Sequence, residues 1–215
     1  MMTTTVYFDL DGTLLEYTSS FQHIVDQTLP VPASTEMVDY FSEQVLLEFS
    51  RVSQTPYELA FEALCDQYDI DADPVALTNE QIENEADATR IDPSVKQLLE
   101  HIATHHQTGI LTNGDGRMQR RKIGAHGLDE IVDVILVANE LGSSKPSLAN
   151  FEHAKERLPA EIYIHVGDSY EEDIVPARNA GFIIAYVGET HHPDVPVATS
   201  DMKHLAAFLM PLIGH

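Results

Sequence analysis

The sequence holds a single cysteine, Cys65, in 215 residues. No disulfide can close within the chain, and this usage suits a reducing compartment. Nothing reactive surrounds Cys65, so it reads as a buried core thiol rather than a nucleophile. No apolar run approaches the roughly 20 residues of a membrane span. The N-terminus lacks the basic stretch followed by an apolar stretch of a secretory signal. These absences predict a cytoplasmic chain with no membrane partner. Lysine is also scarce, with five in all, and 12 Lys and Arg stand against 35 Asp and Glu for a formal charge of −23. So acidic a surface repels nucleic acid and anionic lipid, which excludes both as expected partners. It also repels itself in dilute buffer, while salt shortens the range of that repulsion. The composition therefore predicts a halophilic protein suited to a salt-rich cytoplasm. Urea unfolding at increasing KCl is expected to show stability rising with salt, and greatest stability in dilute buffer would overturn this reading.

Glycine is missing from residues 16–90, a segment with sixteen acids and two arginines, 2 − 16 = −14. Apolar residues recur there at helical spacing, with Phe41, Val45, Leu46 and Phe49 in one element and Leu59, Phe61, Leu64 and Tyr68 in another. Pro30-Val31-Pro32 and Thr55-Pro56 break these helices, and Ser34 and Thr55 are placed to cap them. From Asp92 onward strands and helices alternate, the pattern of a parallel sheet. Helices are predicted from Asp92-Pro93 to about His105, around Met118, Arg121 and Ile123, over Ser147 to Leu158, after Ser169 and over Asp201 to Leu209. Strands are predicted at Gln107–Thr112, Val132–Val137, Ile162–Val166 and Phe182–Val187. The fold class that follows is α/β: a Rossmann-like parallel sheet core with helices on both faces (residues 1–15 and 91–215), plus an inserted α-helical cap (16–90).

The chemistry gathers where these strands end. Val6-Tyr7-Phe8-Asp9-Leu10-Asp11-Gly12-Thr13 delivers two carboxylates at the carboxyl end of a buried strand. Residues two apart on a strand share a face, so Asp9 and Asp11 point the same way. Two adjacent carboxylates repel unless a cation or a shared proton compensates. Open α/β sheets bind ligands beyond the carboxyl ends of their strands. Thr112-Asn113 offers a hydroxyl and an amide after a second strand, and Lys145-Pro146 lies before a helix, with the proline suited to an early helical position. A lysine there favours a phosphate. Gly167-Asp168-Ser169 ends another strand, with Asp173 one helical turn further on.

In this order, Asp9-Leu10-Asp11-Gly12-Thr13, Leu111-Thr112-Asn113-Gly114, Lys145-Pro146 and Gly167-Asp168-Ser169 through Asp173 closely resemble the four motifs of the haloacid dehalogenase-like hydrolase superfamily. The insertion at 16–90 matches the small helical cap of its small-metabolite phosphatase subgroup. The resemblance implies that Asp9 is a nucleophile forming an aspartyl-phosphate and that Asp11 is the general acid and base. It implies Mg²⁺ held by Asp9, the backbone carbonyl of Asp11, and Asp168. Thr112, Asn113 and Lys145 would bind the phosphoryl group, Asp173 would support Lys145, and Thr13 would orient Asp11. Dehalogenases of the superfamily lack an aspartate two positions after the nucleophile, so Asp11 disfavours that chemistry. A phosphomutase shares the Asp9 and Asp11 roles, and a non-catalytic binding protein acting through its cap would be expected to have lost an acid.

The expected substrate is a small phosphorylated metabolite, a sugar phosphate, a nucleotide or of the phosphoglycolate class. Arg51 is the cap's only interior cation, with Arg90 at its hinge, which favours a neutral leaving group. Tyr17, Phe21 and Gln22, just after the first motif, are the cap residues expected to face the site. The oligomeric state, monomer or dimer, is left open. Other features read as structural. His101 and His105 form a polar helix face with His106 beside them, and His191-His192-Pro193 is a loop. Arg117, Arg120, Arg121 and Lys122 form a solvated face paired with nearby Asp129 and Glu130, and His165 is a core histidine.

Overall fold

The computed structural model describes residues 3–190, 192–195, 198–199 and 202–213. In chain order the elements are β1 (Thr4–Phe8), β2 (Glu16–Tyr17), α1 (Phe21–Thr28), α2 (Thr35–Ser50), α3 (Pro56–Tyr68), α4 (Pro74–Asp87) and β3 (Thr89–Arg90). There follow α5 (Pro93–Ala103), β4 (Gln107–Thr112), α6 (Gly116–Ala125), β5 (Val134–Val137), α7 (Leu148–Arg157) and β6 (Ile162–Gly167). A π-helical turn, Tyr170–Ile174, leads into α8 (Val175–Asn179), then β7 (Ile183–Tyr186) and α9 (Met202–Ile213). The last helix begins after Asp201, which lies outside the described residues, as does His191.

Five parallel strands form a sheet in the order β5-β4-β1-β6-β7. Every residue of β1 is buried, as a central parallel strand covered on both faces must be. Val6 and Phe8 pack with α5 and α9 through Leu99, Ile102 and Leu209, while Tyr7 faces the opposite layer with Phe151 and Ala177 of α7 and α8. This period-two alternation places helices on both faces of the sheet. No helix among the described residues is long and apolar enough to cross a membrane.

Helices α1 to α4 bury a second apolar cluster centred on Phe41, whose ring lies 4.2 Å from Phe61 and 6.0 Å from Phe21. From the sheet-bearing part, α6 contributes Met118 to it. Ser34 caps α2 by accepting from the Met37 amide, whereas Thr55 stands before α3 without a side-chain capping bond. Leu46 is 66 % exposed, and Leu59 and Tyr68 also reach solvent, because α2 and α3 each turn a narrower stripe inward than their apolar content suggests. The entry and exit of this helical segment pair as the antiparallel strands β2 and β3, with Glu16 opposite Arg90 and Tyr17 opposite Thr89. Two residues are too few to show a period in the sequence, and the pairing exists only because the segment's two ends meet. Pro146 does not open α7 either: Ser147 is its N-cap, and the cis Lys145–Pro146 peptide lies before it.

Candidate active site

The site lies beyond the carboxyl ends of β1, β4 and β6. The Asp9 amide donates to the Val166 carbonyl at 2.9 Å, continuing the β1–β6 pairing and fixing Asp9 at the sheet edge. The chain then turns through Gly12 at φ +81°, where an added Cβ would lie 2.1 Å from Asp168 Oδ2. Only glycine accepts that backbone conformation with so close a neighbour. Asn113 clamps the backbone of Lys145, accepting from its amide at 2.8 Å and donating to its carbonyl at 3.1 Å. Lys145 Nζ then reaches Asp9 Oδ1 at 2.7 Å and Asp173 Oδ1 at 2.6 Å, with all three groups buried. Asp173 also pairs with His165 Nε2 at 2.9 Å and accepts from the Ser169 amide. Cys65, within the apolar cluster of α1 to α4, is buried and free, and burial raises its thiol above the ordinary value.

Asp9, Asp168 and Asp173 each bring a carboxylate oxygen within 4.8 Å of the others. Against three carboxylates stands one ammonium, Lys145, and burial holds His165 below the usual histidine value. Burial pushes Asp9 well above the carboxylate range, beyond what Lys145 can offset, with Asp173 and Asp168 adding repulsion. Burial and Asp173 raise Asp168 likewise. Asp173 moves the other way: its own burial is outweighed by Lys145 and His165. Lys145 is desolvated, yet Asp9 and Asp173 hold its charge firmly in place. A cluster short of positive charge, built from oxygen donors, fits a hard divalent cation. Asp9 and Asp168 are the carboxylates suited to hold it, since Asp173 is already committed to Lys145 and His165.

Two adjoining cavities open here. The first, about 220 Å³, is lined by Asp9, Asp11, Thr112, Lys145 and Asp168 among others. The second, about 160 Å³, shares Asp11 and Asn113 with it and is walled by Tyr17, Phe49, Tyr57 and Met118. Asp11 stands between them, as the one carboxylate facing both. Its oxygens accept from Lys122 Nζ at 3.0 and 3.3 Å and from Gln119 Nε2 at 2.7 Å.

Of the residues singled out from sequence, Asp9, Asp11, Thr112, Asn113, Lys145, Asp168 and Asp173 converge on the first cavity. The Asn113 side-chain amide is spent on the Lys145 backbone and on Glu172. Thr13 donates to Asp168 Oδ1 at 3.3 Å rather than orienting Asp11, because the Gly12 turn carries it toward β6. Tyr17 lines the second cavity. The other cap candidates do not line either cavity: Phe21 stacks on Phe41, Gln22 donates to the Ala33 carbonyl, and Arg51, 62 % exposed along its side chain, pairs with Glu48.

The cationic run on α6 also differs from expectation. Arg120 pairs with Glu140, Arg121 with Glu83 and Arg117 with Asp115, none of them with Asp129 or Glu130. Lys122 is not on the solvated face at all, being 2 % exposed and bonded to Asp11, Tyr17 and Glu85. Burial disfavours its charge, but Asp11 and Glu85 outweigh that and raise it above the ordinary lysine value. Lys122 and Gln119 are site residues that sequence reasoning missed. A signal was present: Met118 and Ile123 mark the buried stripe of α6, and Gln119 and Lys122 fall on it. His101 on α5 and His105 in the turn that follows it are exposed neighbours, 5.3 Å apart by ring centroid, since the helix ends at Ala103.

The profile of the haloacid dehalogenase-like hydrolases matches residues 3–181. The pyrimidine 5′-nucleotidase YjjG of Escherichia coli (strain K12) is 25 % identical over 89 % of this chain and 88 % of its own length. The N-acylneuraminate-9-phosphatase of Rattus norvegicus is 26 % identical over 93 % of this chain and 87 % of its own. Among solved structures, a 2-haloacid dehalogenase from Pseudomonas syringae pv. Tomato DC3000 superposes with a TM-score of 0.73 at 24 % identity, covering 97 % of this chain and 98 % of that one.

Proposed function

The chain belongs to the haloacid dehalogenase-like hydrolase family, and we propose that this enzyme is a cytoplasmic, Mg²⁺-dependent phosphatase of small-metabolite phosphomonoesters. Residues 1–15 and 91–215 form its catalytic core, and 16–90 its cap. The observation that carries this reading is Asp11, a carboxylate placed between the cavity at Asp9 and the cavity beyond it. A departing alkoxide needs a proton and a departing halide does not, so Asp11 suits phosphate esters. The pyrimidine 5′-nucleotidase and N-acylneuraminate-9-phosphatase among its relatives support phosphomonoester hydrolysis. The dehalogenase structure, at 24 % identity, speaks to the fold alone.

In the first step Asp9 attacks phosphorus, the bond from phosphorus to the leaving oxygen breaks, and Asp11 gives that oxygen its proton. In the second step water attacks the aspartyl-phosphate, Asp11 takes the water's proton, and Asp9 and inorganic phosphate separate. Lys145 and Thr112 hold the phosphoryl oxygens, and the Lys145 charge offsets negative charge where it grows. A divalent cation held by Asp9, Asp168 and the Asp11 carbonyl would supply the further positive charge that lets an anionic nucleophile meet an anionic ester.

The second cavity narrows the leaving group. A cavity of roughly 150 Å³ accommodates one six-membered ring, and this one is of that size, so a larger leaving group would seat one ring in it and extend beyond. Its walls mix Tyr17, Phe49, Tyr57 and Met118 with the polar Asn113, Asp115 and Gln119, and the one ammonium on it, Lys122, is already matched by Asp11 and Glu85. A distal anion would find no free cation among the lining residues. The preferred leaving group is therefore neutral, a sugar or a nucleoside. Phosphate release in high-salt buffer from sugar phosphates, nucleoside monophosphates and phosphoglycolate is expected with Mg²⁺ and not with chelator, and is expected to favour the first two classes. Preference for phosphoglycolate would overturn the leaving-group assignment, and metal-independent turnover would overturn the cofactor assignment. Isomerisation of a sugar phosphate without phosphate release would replace the hydrolase by a mutase.

A further inference from the structure

Lys122 is buried, charged and absent from the steps just described. It lies on α6 of the core, yet two of its three partners come from the inserted segment. Its Nζ donates to Asp11 at 3.0 and 3.3 Å and to the Tyr17 hydroxyl at 2.5 Å, and it forms an ion pair with Glu85 Oε2 at 3.4 Å. Tyr17 belongs to β2 at the junction of the two parts, and Glu85 to α4. Glu85 is itself 2 % exposed and fully engaged, accepting from Tyr17 at 3.0 Å, Tyr57 at 3.1 Å and Gln81 at 3.0 Å. A buried lysine is tolerated only where its charge is matched and its protons are placed. Here all three protons have acceptors, and one pair of acceptors is the carboxylate that must meet the leaving oxygen.

We propose that Lys122 is a positioning residue for Asp11, and that Glu85 and Tyr17 of the docked cap set its own position. The role rests on Asp11 being the acid of the first step. Asp11 lies beyond the end of β1, in an isolated bridge to Leu15 ahead of the turn at Gly12, so the strand does not fix where its carboxylate points. Lys122 and Gln119 grip both of its oxygens, and all three side chains line the second cavity, so the aim of the carboxylate is set at the cavity wall itself. Lys122 in turn is held from the cap, so the aim of Asp11 depends on a docked cap. Proton transfer tolerates misplacement poorly, and an error of about 1 Å can cost on the order of 10²-fold. The coupling thus ties leaving-group protonation to closure over the bound ester, when water entry is least.

The test uses two substrates that differ in need of a proton: an alkyl phosphate from the accepted class, and p-nitrophenyl phosphate, whose phenolate departs unaided. Their kcat/KM reports events through formation of the aspartyl-phosphate and so excludes the shared hydrolytic step. For Lys122→Met, kcat/KM on the alkyl ester is expected to fall by about 10²-fold, the lower end of a general acid's contribution, with a several-fold loss at most on the aryl ester. Glu85→Gln preserves shape and replaces the carboxylate that pairs with Lys122 and accepts from Tyr17, Tyr57 and Gln81, while Asp11 and the Tyr17 hydroxyl remain to Lys122, so it is expected to show the same selectivity at smaller size. It keeps the test valid if Lys122→Met does not fold. Lys122→Arg, which keeps the charge, is expected to recover part of the alkyl activity. Equal losses on both esters in the two neutral variants would make Lys122 a purely structural residue and overturn the proposal. Asp11→Asn is measured alongside. If it shows the leaving-group selectivity and the Lys122 and Glu85 variants do not, the proposal alone fails. If Asp11→Asn shows none, the acid assignment falls and the role of Lys122 with it.

Discussion

Asp9→Asn is expected to lower kcat by at least about 10⁴-fold, the scale of losing a covalent nucleophile, while leaving the protein folded. The two halves of that expectation have separate causes. Asparagine matches aspartate in shape but cannot form the acyl phosphate. Its neutrality is also welcome where burial and two neighbouring acids hold Asp9 well above the carboxylate range. Lys145 keeps Asp173 at 2.6 Å, so its charge remains paired after the exchange. In metal-free buffer the melting temperature of the variant is accordingly expected to equal or exceed that of the parent protein. Acid-quenched parent enzyme, taken during turnover, is expected to carry one phosphoryl group on the peptide containing Asp9, and the variant none. Appreciable turnover by a folded Asp9→Asn would recast Asp9 as a residue that only holds charge in the site, and label on another residue would move the nucleophile.

The strand ends carried most of what sequence could reveal, because each acid and the lysine sit where an apolar run meets a turn. β4 spans Gln107–Thr112 as its spacing implied, and Asp92 caps α5. What was hidden depends on contacts across the chain. Tyr17 lies 105 residues from Lys122 and 68 from Glu85 in sequence, so no local pattern links them. β2 and β3 have two residues each, too few to show a period. Phe21 and Gln22 follow the first motif closely, but α1 turns them toward Phe41 and Ala33 rather than toward the cavities. Leu46 is apolar at a helical spacing and still exposed, since the stripe that α2 buries runs through Met37, Val38, Phe41 and Val45. Lys122 looked like part of a solvated run because three arginines nearby are indeed ion-paired at the surface.

Lys145→Met is expected to damage stability as well as turnover, and the two losses should respond differently to metal and pH. Methionine keeps the length of the side chain but leaves Asp9, Asp168 and Asp173 within 4.8 Å of one another with no ammonium. Removing one partner of a buried pair costs about 3–5 kcal/mol. For a chain of this size that corresponds to a melting temperature lower by roughly 6–20 °C. The penalty is charge repulsion, so it exists only while the carboxylates are ionised. Asp9 and Asp168 have folded-state values raised above their unfolded ones, so the folded form takes up their protons first and gains stability as pH falls through the raised values. Asp173 behaves oppositely in the parent protein: its lowered value contributes stability above the unfolded carboxylate range, lost only as the pH drops below it. The gap between parent and variant is therefore expected to narrow from pH 7 to pH 5. Adding Mg²⁺ at pH 7 is expected to narrow it too, since a cation that binds only the folded site stabilises that state by mass action. Turnover is expected to stay about 10²–10³-fold down even with saturating metal, because the charge lost is the one aimed at the phosphoryl oxygens. A gap independent of both pH and Mg²⁺ would show that Lys145 serves packing alone, and restored turnover at high Mg²⁺ would remove it from the phosphate site.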